Sequence, residues 1–121
     1  MGDVVDLLHD ARMTIVERGW TRGVIFDPVN KPPVCAMVAK QIALNKRFSL
    51  FNHDADWFKV SHKADKILCE ACLAIYPDID RIHRFTFGGT VVHWNDHIAN
   101  HKGEVLALYD KAIEIAEQRR I

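Results

Sequence analysis

Residues 84–94, with the sequence RFTFGGTVVHW, carry the strongest β signal in this chain. Two β-prone runs flank Gly88 and Gly89, and glycine can supply the positive φ angles of a tight hairpin turn. We therefore predict a small β-hairpin in this segment. Because an isolated hairpin is only marginally stable in water, it has to pack on the rest of the chain.

The segments on both sides of this predicted hairpin carry helical patterns. Their apolar residues recur with a period of 3.6 residues, which is typical of helices that bury one face. The predicted fold class is mainly α, at the margin of α+β: a compact domain of four helices with the hairpin between helices three and four. The first predicted helix begins at Val4, with Asp3 as the N-cap, and ends before Gly19, and the second runs from Pro33 to Leu44. The third has its apolar pattern from Trp57 to Ile75, with Asp54 or Asp56 as its cap or with Ser61 as the cap of a shorter helix, and Pro77 ends it. The fourth runs from about Lys102 to Arg119.

Length and composition fit one globular domain over residues 1–121. A chain of 121 residues with 49% hydrophobic residues buries roughly two-thirds of its unfolded surface without a disulfide or a metal. Three cysteines, an odd number, indicate reduced thiols rather than a disulfide framework. The N-terminus MGDVVDLLHD is neither a secretory signal nor a membrane span. We therefore expect a cytoplasmic protein without membrane contact, as a monomer or a small homo-oligomer.

The charge balance argues against nucleic acid as the main partner. Sixteen Lys and Arg residues offset sixteen Asp and Glu residues, so no net positive charge is present to attract phosphates. A local excess of basic residues lies between Lys40 and Lys66. Weak nucleic-acid binding through that region is an alternative function, although a solvated face is the simpler explanation of the basic residues.

Histidines at positions 93, 97 and 101 raise the question of a metal site. With Cys69 and Cys72 they form a partial zinc ligand set, and a small zinc-binding protein is an alternative function. The predicted elements argue against convergence, because His93 would end a strand, His97 would lie in a turn and His101 would stand at the start of helix four. The cysteine pair is explained as two small buried helix residues. We therefore predict no metal and no cofactor.

The trio Trp94-Asn95-Asp96 has two interpretations. Asn95 and Asp96 could be the polar groups of a binding site framed by Trp94. Alternatively, Trp94 anchors the chain in the core, while both polar side chains bond neighbouring backbone amides in a turn before the last helix. Side chains of this type just before a helix favour the second interpretation.

Several segments resemble one known group of proteins. The WND trio followed by VLALYDKA, the stretch ERGWTRG at the end of helix one, and Cys35 at the start of helix two are similar to a small uncharacterised domain family of actinobacteria and their bacteriophages, mycobacteriophages included. The resemblance implies a bacteriophage or actinobacterial origin and carries no assigned activity. Where that family has small residues and a capping threonine, this chain has His97 and His101.

No catalytic signature supports an enzyme. The sequence contains no glycine-rich phosphate loop, no GxSxG elbow and no HExxH motif. We therefore predict a non-enzymatic interaction module, a bacteriophage accessory that contacts a host protein. Aromatic residues dominate binding hot spots, so the first candidates for surface anchors are Phe51, Trp57 and Phe58, and core packing is the favoured role for Trp57.

Overall fold

The computed structural model describes residues 2–23, 30–48, 55–79 and 86–121. Five helices occupy these ranges, and no strand occurs within them. A single parallel β-bridge joins Trp20 to Val34. The mainly α class is confirmed, whereas the count of four helices is wrong. The helices are α1 (Asp3–Arg18), α2 (Ala36–Arg47), α3 (Ala55–Ile75), α4 (Phe87–His97) and α5 (Lys102–Arg119).

The predicted β-hairpin is wrong, because its sequence forms the helix α4. Thr86 is the N-cap of α4, and its hydroxyl oxygen accepts a hydrogen bond from Gly89 N at 2.8 Å. The two glycines thus occupy the first helical turn. Neither is among the residues of the described chain with positive φ, so no hairpin turn is formed there.

Burial explains why β-prone residues accept a helical backbone in α4. Thr90, Val91, Trp94 and Asn95 are its buried residues, and this spacing places all four on one helical face. A helix can present that face to α3 and α2, against which α4 packs. Tertiary burial therefore outweighs the intrinsic β preference of valine and threonine, which spans only about 1 kcal/mol.

The remaining helices form the body that receives α4. Helix α1 packs on α2 and α5, and α3 packs on α4 and α5. Small residues line many of these contacts and let the helix backbones approach closely. The largest fully buried side chains include Leu7, Leu8, Ile15, Leu44, Ile67, Leu68, Trp94, Leu108 and Tyr109.

Two predicted helix starts differ from those observed. Helix α2 begins at Ala36 rather than Pro33, with Cys35 as N-cap accepting a bond from Val38 N. Asp3 is the first residue of α1 and not its N-cap. The amides of Val4 and Val5 donate instead to the carbonyl oxygen of Ile121, at 2.8 and 3.4 Å. The last residue of the chain therefore satisfies the open end of the first helix.

Some predictions fall outside the described residues. These are the candidate anchor Phe51 and the start of the predicted hairpin, residues 84–85. Among the described helices, none has the length and apolar character that crossing a membrane requires.

Candidate functional site

The side chain of Asn95 lies at the centre of a hydrogen-bond network between α4 and the connection from α1 to α2. Asn95 is 1% exposed. Its Oδ1 accepts hydrogen bonds from Trp20 Nε1 at 2.7 Å and from Ala36 N at 3.0 Å. Its Nδ2 donates to the carbonyl oxygen of Thr21 at 3.3 Å. One side chain of α4 therefore holds the residues that leave α1 and the residue that starts α2.

Asp96 completes this arrangement. Asn95 Nδ2 also donates to Asp96 Oδ1 at 2.9 Å, and the same oxygen accepts from Gly23 N at 2.8 Å. Gly23 has a positive φ of 73°, a conformation that glycine adopts without steric cost. The Asn95 network is defined here as Trp20, Thr21, Gly23, Ala36, Asn95 and Asp96.

The Asn95 network leaves its central amide no capacity for a ligand. A carboxamide offers two donor hydrogens and two acceptor lone pairs, and Asn95 uses all four within the protein. Trp94, next to it, is buried in the core at 2% exposure. Three of the four bonds of Asn95 reach residues 59–75 positions away, so it does not form the local turn expected from the sequence. The geometry supports a structural role for the trio.

Two further contacts strengthen the same junction. The guanidinium of Arg22 donates to the carbonyl oxygen of Ala99, at 3.1 Å from Nε and 2.6 Å from Nη2. The buried hydroxyl of Tyr109 donates to the carbonyl oxygen of Ala36 at 2.7 Å. The segments that carry the family resemblance, ERGWTRG, Cys35 and WND, thus lie together around the start of α2.

Two of the three histidines do not occupy the environments predicted from the sequence. His93 and His97 both lie inside α4, with their ring centroids 5.0 Å apart. His101 is the N-cap of α5, beyond the end of α4, as predicted. Cys69 and Cys72 are buried on α3. Within the described ranges, no three or more His, Cys, Asp or Glu side chains gather as metal ligands.

The cysteines are poor candidates for thiol chemistry. Burial raises the pKa of the Cys35 thiol, although the Val38 and Met37 amides oppose the shift. Burial also raises the pKa of Cys72, and the neighbouring Cys69 adds to that effect. Since the thiolate is the reactive form, both thiols are held in their unreactive state at neutral pH.

A cleft of about 590 Å³ lies between α3 and α4. The first turn of α4 forms one wall and a face of α3 forms the other. Its lining residues are His62, Asp65 and Cys69 from α3, and Thr86, Phe87, Gly88 and Thr90 from α4. This cleft combines aromatic, carboxylate and hydroxyl groups in one concave surface, which is the usual character of a binding site.

An ion pair between a buried lysine and a partly buried aspartate fixes the carboxylate of this cleft. Lys40 of α2 has 4% of its side chain exposed, and its Nζ lies 2.9 Å from Asp65 Oδ1. The contact is an ion pair rather than a directed hydrogen bond. The same Nζ donates to Ser61 Oγ at 3.2 Å. Sequence reasoning missed this pair, because nothing in the local pattern indicates that residues 40 and 65 meet.

The contact between Lys40 and Ser61 adds a hydroxyl group to this ion pair. Lys40 Nζ donates to Ser61 Oγ and also lies beside Asp65, so two side chains of α3 hold the end of Lys40. The ion pair therefore serves as a fixed polar element beside the cleft.

Exposed aromatic side chains flank the cleft. Phe58 is 60% exposed and lies one turn before His62 on the same face of α3. Its ring meets that of the partly buried Trp57 edge to face, with centroids 4.9 Å apart. Phe87 is 38% exposed, and its ring lies 5.5 Å from that of His62. Aromatic surface therefore continues from α3 to the start of α4.

Carboxylates engage part of the basic stretch between positions 40 and 66. Lys40 is buried against Asp65. Arg47 lies 3.5–4.0 Å from three carboxylates of α1, those of Asp3, Asp6 and Asp10. Two of the six basic residues in this stretch are thus neutralised locally, which weakens the case for phosphate binding there.

Comparison with known proteins identifies a family without an assigned activity. The model of a family of unknown function (DUF6197) matches residues 1–115. No curated protein matches the chain. No solved structure matches it either. The resemblance to an uncharacterised family is confirmed at this level.

Proposed function

The chain belongs to the family of unknown function DUF6197, and from its own geometry we propose that it is a non-enzymatic binding module. The proposed module is a single domain in the cytoplasm of an actinobacterial host, encoded by a bacteriophage. Its proposed partner is a host protein, which binds at the cleft between α3 and α4.

The observation that carries this proposal is the aromatic surface at the edge of the cleft. Phe58, His62 and Phe87 are all exposed, and the rings of His62 and Phe87 meet across the two helices. Large aromatic side chains contribute much of the binding energy in protein interfaces, because they bury extensive apolar area at a low entropic cost. The Lys40–Asp65 pair adds a fixed carboxylate for a polar group of the partner.

The remaining polar features support binding rather than catalysis. The Asn95 amide is saturated by protein partners, Lys40 is engaged by Asp65 and Ser61, and burial raises the pKa of Cys35. None of these groups is poised for proton transfer or nucleophilic attack. The balanced total charge likewise supports a protein partner over a nucleic acid.

The test uses two variants at the cleft and one matched control. Phe58→Ala and Phe87→Ala remove exposed rings, whereas Met13→Ala removes an exposed apolar side chain of α1, which does not line the cleft. Each protein is immobilised, and the proteins it retains from host lysate are quantified. Circular dichroism checks that the variants fold.

We expect one host protein to bind wild type and Met13→Ala equally. It should bind both phenylalanine variants at least about tenfold more weakly, because truncating a hot-spot residue typically weakens binding by this much. Titration of the purified partner measures the dissociation constants. Equal binding by all four proteins would refute the cleft as the binding site.

A further inference from the structure

His93 and His97 form a pair on the solvent side of α4. They are separated by one helical turn, so their side chains project from the same face. Their ring centroids are 5.0 Å apart and their planes are tilted by 40°. His97 is exposed and His93 is partly exposed. His101 is equally spaced in sequence, yet it lies beyond the end of α4 with an extended φ of −155°.

The separation of the two rings matches that of two imidazoles on one metal ion. A metal–nitrogen bond is about 2.0–2.1 Å long, so each ring centroid lies about 3.2 Å from the ion. At ligand angles between about 90° and about 110°, the two centroids are about 4.5–5.2 Å apart. The observed 5.0 Å falls in this interval.

The backbone that carries the pair is fixed by the residues between its members. Trp94 is buried in the core, and Asn95 makes four hydrogen bonds. Asp96 accepts a bond from Gly23 N. The helical turn from His93 to His97 is therefore held by tertiary contacts, and binding an ion does not require α4 to be ordered first.

We propose that His93 and His97 are a two-ligand site for divalent late transition metal ions, with water completing the coordination. Neutral imidazole suits Cu²⁺, Ni²⁺ and Zn²⁺, and Cu²⁺ is bound most tightly of the three. Two histidines four residues apart on a helix provide the same ligand spacing as helical zinc motifs. The site is distinct from the cleft, which is lined by other residues of α3 and α4.

The experiment measures Ni²⁺ and Zn²⁺ binding to the full chain without an affinity tag. Isothermal titration calorimetry is performed on wild type, His93→Ala, His97→Ala and the matched control His101→Ala. Thermal unfolding with and without Ni²⁺ gives a second readout, because an ion that binds only the folded chain raises the unfolding temperature. The exposed position of His97 makes its variant the safest for folding.

We expect one ion per chain, and a loss of affinity of at least about tenfold when either member of the pair is removed, because the chelate is then broken. His101→Ala should keep its affinity within about twofold and keep its thermal shift. Affinity should fall as the pH is lowered, since protons compete for the imidazole nitrogens.

Three results would overturn the proposal. The first is that wild type shows neither heat of binding nor a thermal shift with either ion. The second is that His97→Ala binds as tightly as wild type, which would place the ion elsewhere. The third is that His101→Ala loses as much affinity as His97→Ala, which would mean that the helix does not define the site.

Discussion

Replacing Asn95 with alanine removes four hydrogen bonds from the junction between α4 and the connection of α1 to α2. The amide of Ala36 is buried and loses its acceptor, and the indole of the partly buried Trp20 loses its partner. A buried donor left without a partner costs about 1–3 kcal/mol. The missing amide also leaves a small void among close-packed atoms.

Together these effects predict that Asn95→Ala lowers the free energy of unfolding by about 3–5 kcal/mol. A domain of this size is stable by about 5–15 kcal/mol, so the variant should remain folded but much weakened. Urea unfolding followed by tryptophan fluorescence and circular dichroism measures the change. With an m-value of about 1.5 kcal/mol per molar urea, the midpoint should fall by about 2–3 M.

Asn100→Ala is the matched control. Asn100 is exposed, and its side chain accepts only a long contact of 3.4 Å from Arg22. We expect a change within about 0.5 kcal/mol, as for most surface substitutions. If Asn95→Ala cost less than about 1 kcal/mol, the network would not hold the junction, and the structural assignment of the trio would be refuted.

Three further predictions test the helix, the buried titratable groups and the ion pair. Gly88→Ala should stabilise the protein by about 0.5 kcal/mol in thermal melts, because Gly88 lies in a helical turn. The atom nearest to an added Cβ is Met37 Cε at 3.3 Å, the flexible end of a side chain that has to shift slightly. A loss above about 1 kcal/mol would contradict this prediction. Burial raises the pKa of both Cys72 and Tyr109, so the unfolded chain loses these protons first. In the unfolded chain the two groups have pKa values of about 8.5 and about 10, and below these values the free energy of unfolding keeps its full contribution from them. Above each value, the free energy of unfolding declines by about 1.4 kcal/mol per pH unit for that group. Urea titrations from about pH 7 to about pH 10.5 measure this, and a flat profile would contradict it. Lys40→Met leaves a partly buried carboxylate without its cation and should cost about 2–3 kcal/mol in urea unfolding, whereas a cost below about 1 kcal/mol would contradict the buried pair.

Local signals were sufficient to predict most of the helices. The apolar period and its stop residues indicated α1, α3 and α5, and the predicted bounds of α5 agree with those observed. These signals lie within the segments that they describe. The residues that became α4 were misread because local signals do not show tertiary contacts. Their β-branched residues and paired glycines favoured a hairpin, whereas the buried helical face becomes apparent only beside α3 and α2.

The candidate sites were less predictable, because their partners are distant in sequence. The bond from Trp20 to Asn95 spans 75 positions, and the ion pair of Lys40 with Asp65 joins two different helices. Periodicity cannot indicate such pairs. The sequence offered one signal for these contacts. The segments ERGWTRG and WND and the cysteine at the start of helix two all belong to the same family resemblance, and the fold brings them together.

The Asn95 network makes one backbone amide a reporter of helix docking. The hydrogen bond between Ala36 and Asn95 joins residues 59 positions apart, so it closes a much longer loop than the connection of α1 to α2 and has a larger entropic cost. The amide of Ala36 is protected by a side chain of α4 and not by its own helix. Its rate of hydrogen exchange therefore follows the opening of α4 from the body, and it distinguishes the undocking of α4 from global unfolding.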